Sequence, residues 1–471
     1  MIPRTITAAT AVLSVLVAGA CTTKAASEPR AEQTNVVLVL TDDLSTNLLP
    51  YLPSVRALAS EGTSFANYTV TDSLCCPSRS SIFTGNFPHD TGIFTNGGAD
   101  GGFETFHKRG EESSTFATDL HAAGYRTAML GKYLNGYLPK DTFVPPGWDE
   151  WDVAGNGYGE YNYNLLENGK VVHYGHDYLT DVVSRKAAGF ITASAAARKP
   201  FLVEVATFAP HAPYTPADQD RDAFPGLTAP RTPAYDTLPA TAPTWLAGRT
   251  PLTDAEKQQI DRDFRKRAQS VQAVDRMITS LRQTLATAGV ADRTLVVFTS
   301  DNGYHMGEHR LTPGKQTAFD TDVRVPLVMA GPGVKAGATV TAPAENIDLR
   351  ATFDDLAGTG TPATDGRSLA PLLRGETPAD WREAALVEHH GPDTDPADPD
   401  HPAKNSGNPP TYSAIRTTGY TYVEYADGTK EYYDHATDPD QLRNTAGELD
   451  AARLAALHAT LTGLVGCHRS C

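Results

Sequence analysis

Val36-Val37-Leu38-Val39-Leu40, followed at once by Thr41-Asp42-Asp43, is the stretch that decides the fold. An unbroken apolar run, with no polar residue in alternation, is what a strand buried on both faces requires. Four more runs share the character: Thr127-Ala128-Met129-Leu130, Phe201-Leu202-Val203-Glu204-Val205-Ala206, Thr294-Leu295-Val296-Val297-Phe298 and Pro326-Leu327-Val328-Met329-Ala330. Helical patterns lie between them. The clearest runs from about Thr253 to Ala288, where Val271, Val274, Ile278, Leu281 and Leu285 recur at spacings of three and four and Gly289 closes the helix. Strand and helix in alternation predict a mostly parallel sheet covered on both faces. Polar residues follow directly after the strand ends: Asp42 and Asp43, Lys132, Pro210-His211, and Asp301-Asn302. Open α/β sheets bind ligands at that edge, so functional groups are expected there.

The 471 residues are 40% hydrophobic and 20% charged, an ordinary globular balance and enough chain for one large core plus a smaller unit. A formal net charge of −16 excludes a general nucleic-acid or acidic-membrane binder. Any site for an anion must therefore be a local cluster of cations. Residues 1–20 read as an export signal: Arg4, then an apolar stretch from Ala8 to Ala20 that is too short for a permanent membrane span and ends in small residues. Cys21, after Leu16-Val17-Ala18-Gly19-Ala20, resembles a bacterial lipobox, with Ala18 where Leu is usual. Lipid attachment at Cys21 on the cell surface and simple secretion both stay open, and 21–34 reads as a polar tether. Of the five cysteines, Cys467 and Cys471 end the chain, and an exported protein is expected to pair them.

Composition changes near Pro378. Gly391 to Pro410 is dominated by Pro and Asp and reads as an irregular loop. Tyr420-Thr421-Tyr422-Val423-Glu424-Tyr425, followed by the turn Ala426-Asp427-Gly428, predicts an antiparallel hairpin, and Glu448 to Leu464 a terminal helix. The expected division is a catalytic domain over 35–377 and a small C-terminal α+β subdomain with an antiparallel sheet over 378–471. Gln219 to Pro251, rich in Pro and Thr, reads as an irregular excursion over the catalytic face.

Leu74-Cys75-Cys76-Pro77-Ser78-Arg79, continuing through Ser80-Ser81-Ile82-Phe83-Thr84-Gly85, places Cys75 two residues before Pro77 and four before Arg79. This run resembles the signature of the type I sulfatases. In that family the first cysteine of Cys-x-Pro-Ser-Arg is oxidised by a dedicated formylglycine-generating enzyme to an aldehyde whose hydrate is the nucleophile. The resemblance assigns that role to Cys75, not Cys76. A serine in its place would be left as a stable sulfate ester. With a gem-diol, one hydroxyl attacks sulfur and expels the alcohol; deprotonation of the second releases sulfate from the enzyme side. Without the resemblance, Cys75 and Cys76 would read as two buried thiols or a vicinal disulfide. The implied fold is an alkaline-phosphatase-like sandwich.

The resemblance also implies Ca²⁺, with Mg²⁺ the alternative, held by Asp42, Asp43, Asp301, Asn302 and the hydroxyl of the modified Cys75. These are hard oxygen ligands of the kind such cations take. Three carboxylates within about 4 Å would repel one another by on the order of 4 kcal/mol per pair at an effective dielectric near 20, a conflict that a divalent cation removes. Alone, each cluster would read as a turn or helix cap. For the sulfate, the family pattern points to Arg79, Lys132 in Leu130-Gly131-Lys132-Tyr133, and Lys315 in Pro313-Gly314-Lys315. His211, in Ala209-Pro210-His211-Ala212-Pro213, is assigned with Lys315 to leaving-group protonation. One departure stands out: the histidine that many arylsulfatases carry two residues after the strand-end lysine is Leu134 here. Lys132-Tyr133-Leu134-Asn135, the Cys75–Arg79 run, Pro88-His89 and Asp301-Asn302-Gly303-Tyr304-His305 resemble the N-acetylglucosamine-6-sulfatase branch. His305 is the replacement candidate for the missing base, with capping or packing its alternative role. The resemblance spans Asn35 to Asn444, ending in Tyr432-Tyr433-Asp434-His435-Ala436-Thr437-Asp438-Pro439. The expected substrate is a sulfate monoester on a sugar. Aryl sulfates, phosphonate or phosphate esters, and a non-catalytic sugar-binding lipoprotein with unmodified Cys75 are the other readings.

Overall fold

Burial on both faces is what the five apolar runs require, and each of them is a strand in one ten-stranded sheet. Its order is Ala338–Val340, Thr63–Phe65, Leu327–Ala330, Thr294–Ser300, Asn35–Thr41, Phe201–Ala206, Arg126–Lys132, Glu150–Ala154, Tyr163–Glu167, Lys170–Tyr174. The run from Thr294–Ser300 to Glu150–Ala154 is parallel throughout. Leu327–Ala330 joins it antiparallel on one side, and the hairpin Tyr163–Glu167/Lys170–Tyr174 extends it antiparallel on the other. The computed structural model describes Met1, Pro3, Thr5 and 33–471, apart from 156, 361, 362, 397, 399, 470 and 471. Almost all of the expected export signal and tether, the lipidation candidate Cys21, and Cys471 of the expected terminal pair therefore lie outside the described residues.

Alternation along the central strand shows how both faces are filled. Val36, Leu38 and Leu40 enter one core with Ile82, Phe83, Phe116 and Phe353. Val37 and Val39 enter the other with Phe190, Phe264, Val271 and Ile278. Helices Cys75–Thr84, Phe116–Ala122 and Asp348–Ala357 thus cover one face, and Leu179–Ala196 and Asp254–Thr287 the other. Each such side chain contributes about 1.5–3 kcal/mol when buried, so a polar replacement on either face is costly. The long helix starts where a capping box fixes it: the Thr253 hydroxyl accepts from Glu256 N at 3.2 Å, and the Glu256 carboxylate accepts from Thr253 N at 2.8 Å. It ends at Gly289, whose φ of +67° is the left-handed conformation that stops helices.

The C-terminal region forms a four-stranded antiparallel sheet, Ala384–His389, Tyr412–Thr417, Tyr420–Tyr425 and Lys430–Asp434. Helix Ala451–Val465 lays Leu457 and Leu461 against Leu386, Ile415 and Tyr422. It begins later than the sequence suggested, because Asp450 caps it by accepting from Arg453 N and the preceding 446–448 is a separate 3₁₀ turn. Val387, Tyr412, Val423 and Tyr425 also belong to the core that covers the large sheet, so Gln33–Cys471 is one compact unit. That shared core brings the 391–410 loop onto the edge where the strands end.

Candidate active site

Local backbone geometry gathers the groups. Beyond the end of Asn35–Thr41, Asp43 adopts φ +63°, a left-handed conformation that Asp tolerates better than most residues. The turn lets Asp42 and Asp43 face one cluster, where one ligand atom each from Asp42, Asp43, Cys75 and His211 all lie within 4.8 Å of one another. The next strand delivers Asp301 and Asn302. Asp301 Oδ1 accepts from the backbone N of Asp43 at 3.1 Å and of Asn302 at 2.7 Å, and Asn302 Nδ2 donates to Asp43 Oδ1 at 2.7 Å. Lys132 follows Gly131, at φ +101°, where a Cβ would sit 1.9 Å from Ala206 O; only glycine lets that strand end lie so close to its neighbour. Cys75 is the first residue of a helix buried along its whole length, Cys75–Thr84, and Arg79 follows one turn later. The helix N-terminus adds partial positive charge where an anion would bind.

Each carboxylate already has a cation. Lys132 Nζ lies 2.6 Å from Asp42 Oδ2, Lys315 Nζ 2.8 Å from Asp43 Oδ1, and Arg79 Nε 2.8 Å from Asp301 Oδ2. Carboxylate repulsion is therefore not what argues for a metal, contrary to the expectation from sequence. Donor chemistry is: Asp42, Asp43, Asp301 and Asn302 supply hard oxygens, and Asn302 Oδ1 is buried with no hydrogen-bond partner. A buried amide oxygen left unpartnered is costly unless something binds it, so these four residues fit a Ca²⁺-type cation. Arg79 Nη2 is likewise buried without a hydrogen-bond partner, a donor left for an oxyanion.

Cys75 Sγ lies 2.9 Å from Lys315 Nζ and 3.2 Å from Asp42 Oδ1. Burial first, then Asp400 and Asp42, push its thiol well above the ordinary range, against Lys132 and Lys315. An unmodified thiol here stays protonated and is a poor nucleophile. Cys76 packs into the hydrophobic core, its backbone N donating to Asn96 Oδ1 at 3.0 Å, and burial pushes its thiol up to about 12. Both cysteines are free, so the vicinal disulfide does not form.

His211 Nδ1 bonds the Ala212 carbonyl at 2.7 Å, and Nε2 lies 2.5 Å from Asp400 Oδ1. Burial opposes its protonation, but Asp43 and Asp400 outweigh it and raise the pKa, which favours the imidazolium form that donates at both nitrogens. Asp400 Oδ1 also lies 3.1 Å from Lys315 Nζ, while Oδ2 accepts from Asn96 Nδ2 at 2.8 Å and Asn135 Nδ2 at 3.3 Å. The sequence reading missed Asp400 inside the Pro- and Asp-rich loop. It also missed Arg267, fully buried in the long helix, which donates to Asp43 O at 2.5 Å and Pro210 O at 3.3 Å and sits 4.4 Å from the Tyr304 ring centre.

His305 is placed differently from the rest. Its Nδ1 is 3.0 Å from both oxygens of Asp322 and its Nε2 is 2.7 Å from Ser406 O, so neither ring nitrogen is directed at Cys75. The geometry is that of a brace between the 301–305 segment and the 403–407 turn, not of a base. Leu134 is buried in the hydrophobic core. All the other candidates, Asp42, Asp43, Cys75, Arg79, Lys132, His211, Asp301, Asn302 and Lys315, fall in one connected network. Two cavities flank it. One of about 340 Å³ is lined by Lys315, His211, Tyr214 and Asp400, and one of about 260 Å³ by Lys132, Asn135, Tyr158 and Asp398.

A pocket of buried lysine and arginine charge around Cys75, at the carboxyl edge of a doubly covered sheet, is the setting that a hydrolase of oxyanion esters needs. The chain belongs to the sulfatase family of sulfuric ester hydrolases: the Sulfatase family model matches residues 34–359, and that of the N-sulphoglucosamine sulphohydrolase C-terminal region matches 307–465. Human N-acetylglucosamine-6-sulfatase is 34% identical over 500 residues, covering 99% of this chain and 90% of that protein. The N-acetylglucosamine-6-O-sulfatase of Bacteroides thetaiotaomicron is 28% identical, covering 91% and 86%. A solved structure in complex with its substrate D-glucosamine-2-N,6-O-disulfate superposes with a TM-score of 0.77 at 26% identity, covering 92% of this chain and 97% of that one. The alkaline-phosphatase-like sandwich expected from sequence is the fold observed.

Proposed function

We propose that this protein is an exported sulfatase that removes sulfate from the 6-position of an N-acetylglucosamine-type sugar, with Cys75 converted to formylglycine and Ca²⁺ held by Asp42, Asp43, Asp301 and Asn302. The observation that carries the reading is the surroundings of Cys75, whose buried Sγ is fixed between Lys315 Nζ at 2.9 Å and Asp42 Oδ1 at 3.2 Å. Its Sγ stands in for the oxygen of the modified residue. Formylglycine supplies a hydrated aldehyde, two hydroxyls on one carbon, so that the same residue can attack sulfur and later let sulfate go. Ca²⁺ supplies positive charge where the sulfate oxygens gather.

The chain's own groups do the rest. Arg79, Lys132 and Lys315 hold the sulfate oxygens; donors aimed at developing charge are typically worth about 10²–10³ in rate each. Asp42 is the one carboxylate within hydrogen-bonding reach of Sγ among the described residues, and is placed to take the proton of the attacking hydroxyl. His211 and Lys315, both beside Asp43, are assigned the protonation of the departing sugar oxygen. Lys132, whose ammonium is favoured by Asp42 despite burial, stays charged and is no base. Once that proton has passed to His211, left neutral by the departing alcohol and within 4.8 Å in the same cluster, Asp42 is free to take the second hydroxyl's proton at sulfate release, the step for which Leu134 offers nothing.

The sugar is supported by the substrates named for the relatives and by flanking cavities of about 340 and 260 Å³. Export is supported by Arg4 and the apolar stretch that follows it, with Cys21 as the candidate lipid anchor. The test pairs mass spectrometry of the Cys75 peptide with kcat/KM on N-acetylglucosamine-6-sulfate, an aryl sulfate and an aryl phosphonate. An aldehyde at position 75 and preference for the sugar sulfate are expected. Active protein with an intact Cys75 thiol, or faster phosphonate cleavage, overturns the reading.

A further inference from the structure

The reacting position of this enzyme is sealed. Cys75 is 0% exposed and lines neither flanking cavity, whereas Asp400 lines the first of them and its partners Asn96 and Asn135 line the second. We propose that Asp400 is an internal stand-in for the substrate: its carboxylate holds the place of the ester's leaving oxygen in the resting enzyme and is displaced when a sulfate ester enters. The proposal rests on the sulfatase reading, which assigns His211 and Lys315 to the leaving group.

The ligand set is the reason. Asp400 Oδ1 sits 2.5 Å from His211 Nε2 and 3.1 Å from Lys315 Nζ, the two groups that must deliver a proton to the departing oxygen. His211 has no nitrogen to spare, since Nδ1 is committed to Ala212 O. While Asp400 stays, the acid cannot reach a substrate. Its second oxygen takes two amide donors, Asn96 Nδ2 and Asn135 Nδ2, so the carboxylate is gripped on both sides as a bound oxyanion would be. Charge-assisted bonds of this kind are strong, yet an incoming sulfate brings its own charge to the same cations and replaces them. The chain beyond Asp400 has anchors that such an exchange leaves alone: Ser406 O on His305 and Asn405 O on Thr312 N.

An internal competitor has a thermodynamic consequence. If the open form is only about a tenth or less of the population, the apparent affinity for any anion falls about tenfold or more, and the same competition hastens loss of product sulfate. The probe is inorganic sulfate, titrated calorimetrically into full-length Ca²⁺-loaded protein. Asp400→Asn, similar in shape, should bind sulfate about tenfold or more tightly than wild type, with Asp400→Ala as the second variant. Asp398→Asn removes a charge from the same loop; Asp398 Oδ1 accepts from Asp400 N at 2.8 Å and from Asn96 Nδ2 at 3.4 Å, bonds that an asparagine oxygen can keep, and the side chain touches neither His211 nor Lys315. It should change the affinity less than about twofold, since a partly exposed charge acts weakly at a distance. Sulfate affinity unchanged or weaker in both Asp400 variants, or an equal gain in Asp398→Asn, overturns the proposal. Wild-type turnover of an aryl sulfate separates the two claims: turnover with unchanged sulfate affinity in Asp400→Asn sinks the displacement alone, and no turnover by fully converted protein sinks both.

Discussion

Replacing Arg267 by Met should damage stability and catalysis together. Arg267 is 0% exposed and forms no hydrogen-bonded ion pair among the described residues; its guanidinium is held by Asp43 O, Pro210 O and the Tyr304 ring. Each hydrogen bond from a charged donor is worth about 1.5–3 kcal/mol, and a desolvated cation–π contact about 2. Removing the charge also removes the cost of burying it, but leaves two buried carbonyls without their donor at about 1–3 kcal/mol each, so the net loss should be about 2–6 kcal/mol. The two carbonyls belong to Asp43 and to the residue before His211, so the same change loosens the proposed metal ligand and the proposed acid. A displacement of about 1 Å at such groups costs on the order of 10²-fold in rate. Arg267→Lys keeps the charge but not the fork, and should fall between. The assay is thermal melting of Ca²⁺-loaded protein beside kcat on an aryl sulfate. Loss of stability with kcat unchanged would refute the reasoning, because Arg267 would then support the fold without positioning the site.

Cys75→Ala should fold and lose essentially all turnover, while Cys76→Ala keeps most of it; equal losses on an aryl sulfate would mean the wrong cysteine is assigned. Chelation should abolish activity, and Ca²⁺ at about 100 times its Kd should raise stability by about 2.7 kcal/mol. Asn302→Ala should lose most of that increment in a melting titration, and an undiminished increment would remove Asn302 from the ligand set. His211→Ala should slow sugar sulfates far more than nitrophenyl sulfate, whose leaving group needs little protonation, whereas His305→Ala should lower the melting temperature and give steady turnover with no burst of alcohol product. A burst of about one equivalent, the mark of stalled sulfate release, would restore His305 as a base. The His89 pKa is raised from 6.5 to about 9: burial lowers it, but the hydrogen bond to Glu388 at 2.7 Å and the bond to Cys467 O outweigh that. Its contribution is therefore fully present below about pH 6.5 and lost as pH rises through about 9, so the melting-temperature gap between wild type and His89→Ala should close over that interval. A gap independent of pH would mean His89 is neutral in the folded state.

The middle of the sheet was legible because burial on both faces leaves those strands no choice of residue type. The one charged residue in the five runs, Glu204, tests that logic. Both its carboxylate oxygens are buried without partners, and burial raises its pKa to about 8, so the strand carries it as a neutral acid. The hairpin Tyr163–Tyr174 escaped because it lies at the sheet's edge, where Val171 is 43% exposed and apolar alternation is weak. A turn signal was nonetheless present. Asn168-Gly169 has φ of +48° and +87°, the pair of positive angles that a two-residue hairpin turn of this composition adopts.

Residues that directly follow strand ends were legible in the site for the same reason, since the sheet edge aims them. His305 misled because closeness along the chain says nothing about direction: His305 pairs its backbone with Gly314, and its ring is carried to Asp322. Asp400 could not be picked out locally from Asp393, Asp395 and Asp398, because what distinguishes it is a partner 189 residues away. Arg267 is the instructive case. Ile260, Phe264, Arg267, Val271, Val274 and Ile278 form one stripe at spacings of four and three, all buried, with a guanidinium where the period calls for an apolar side chain. A charge on the core face of a helix must find acceptors there or go neutral, and arginine cannot go neutral. The period therefore carried a prediction of its own: carbonyls or carboxylates had to be waiting beneath the long helix, and the backbone turns that carry Asp43 and His211 are where they wait.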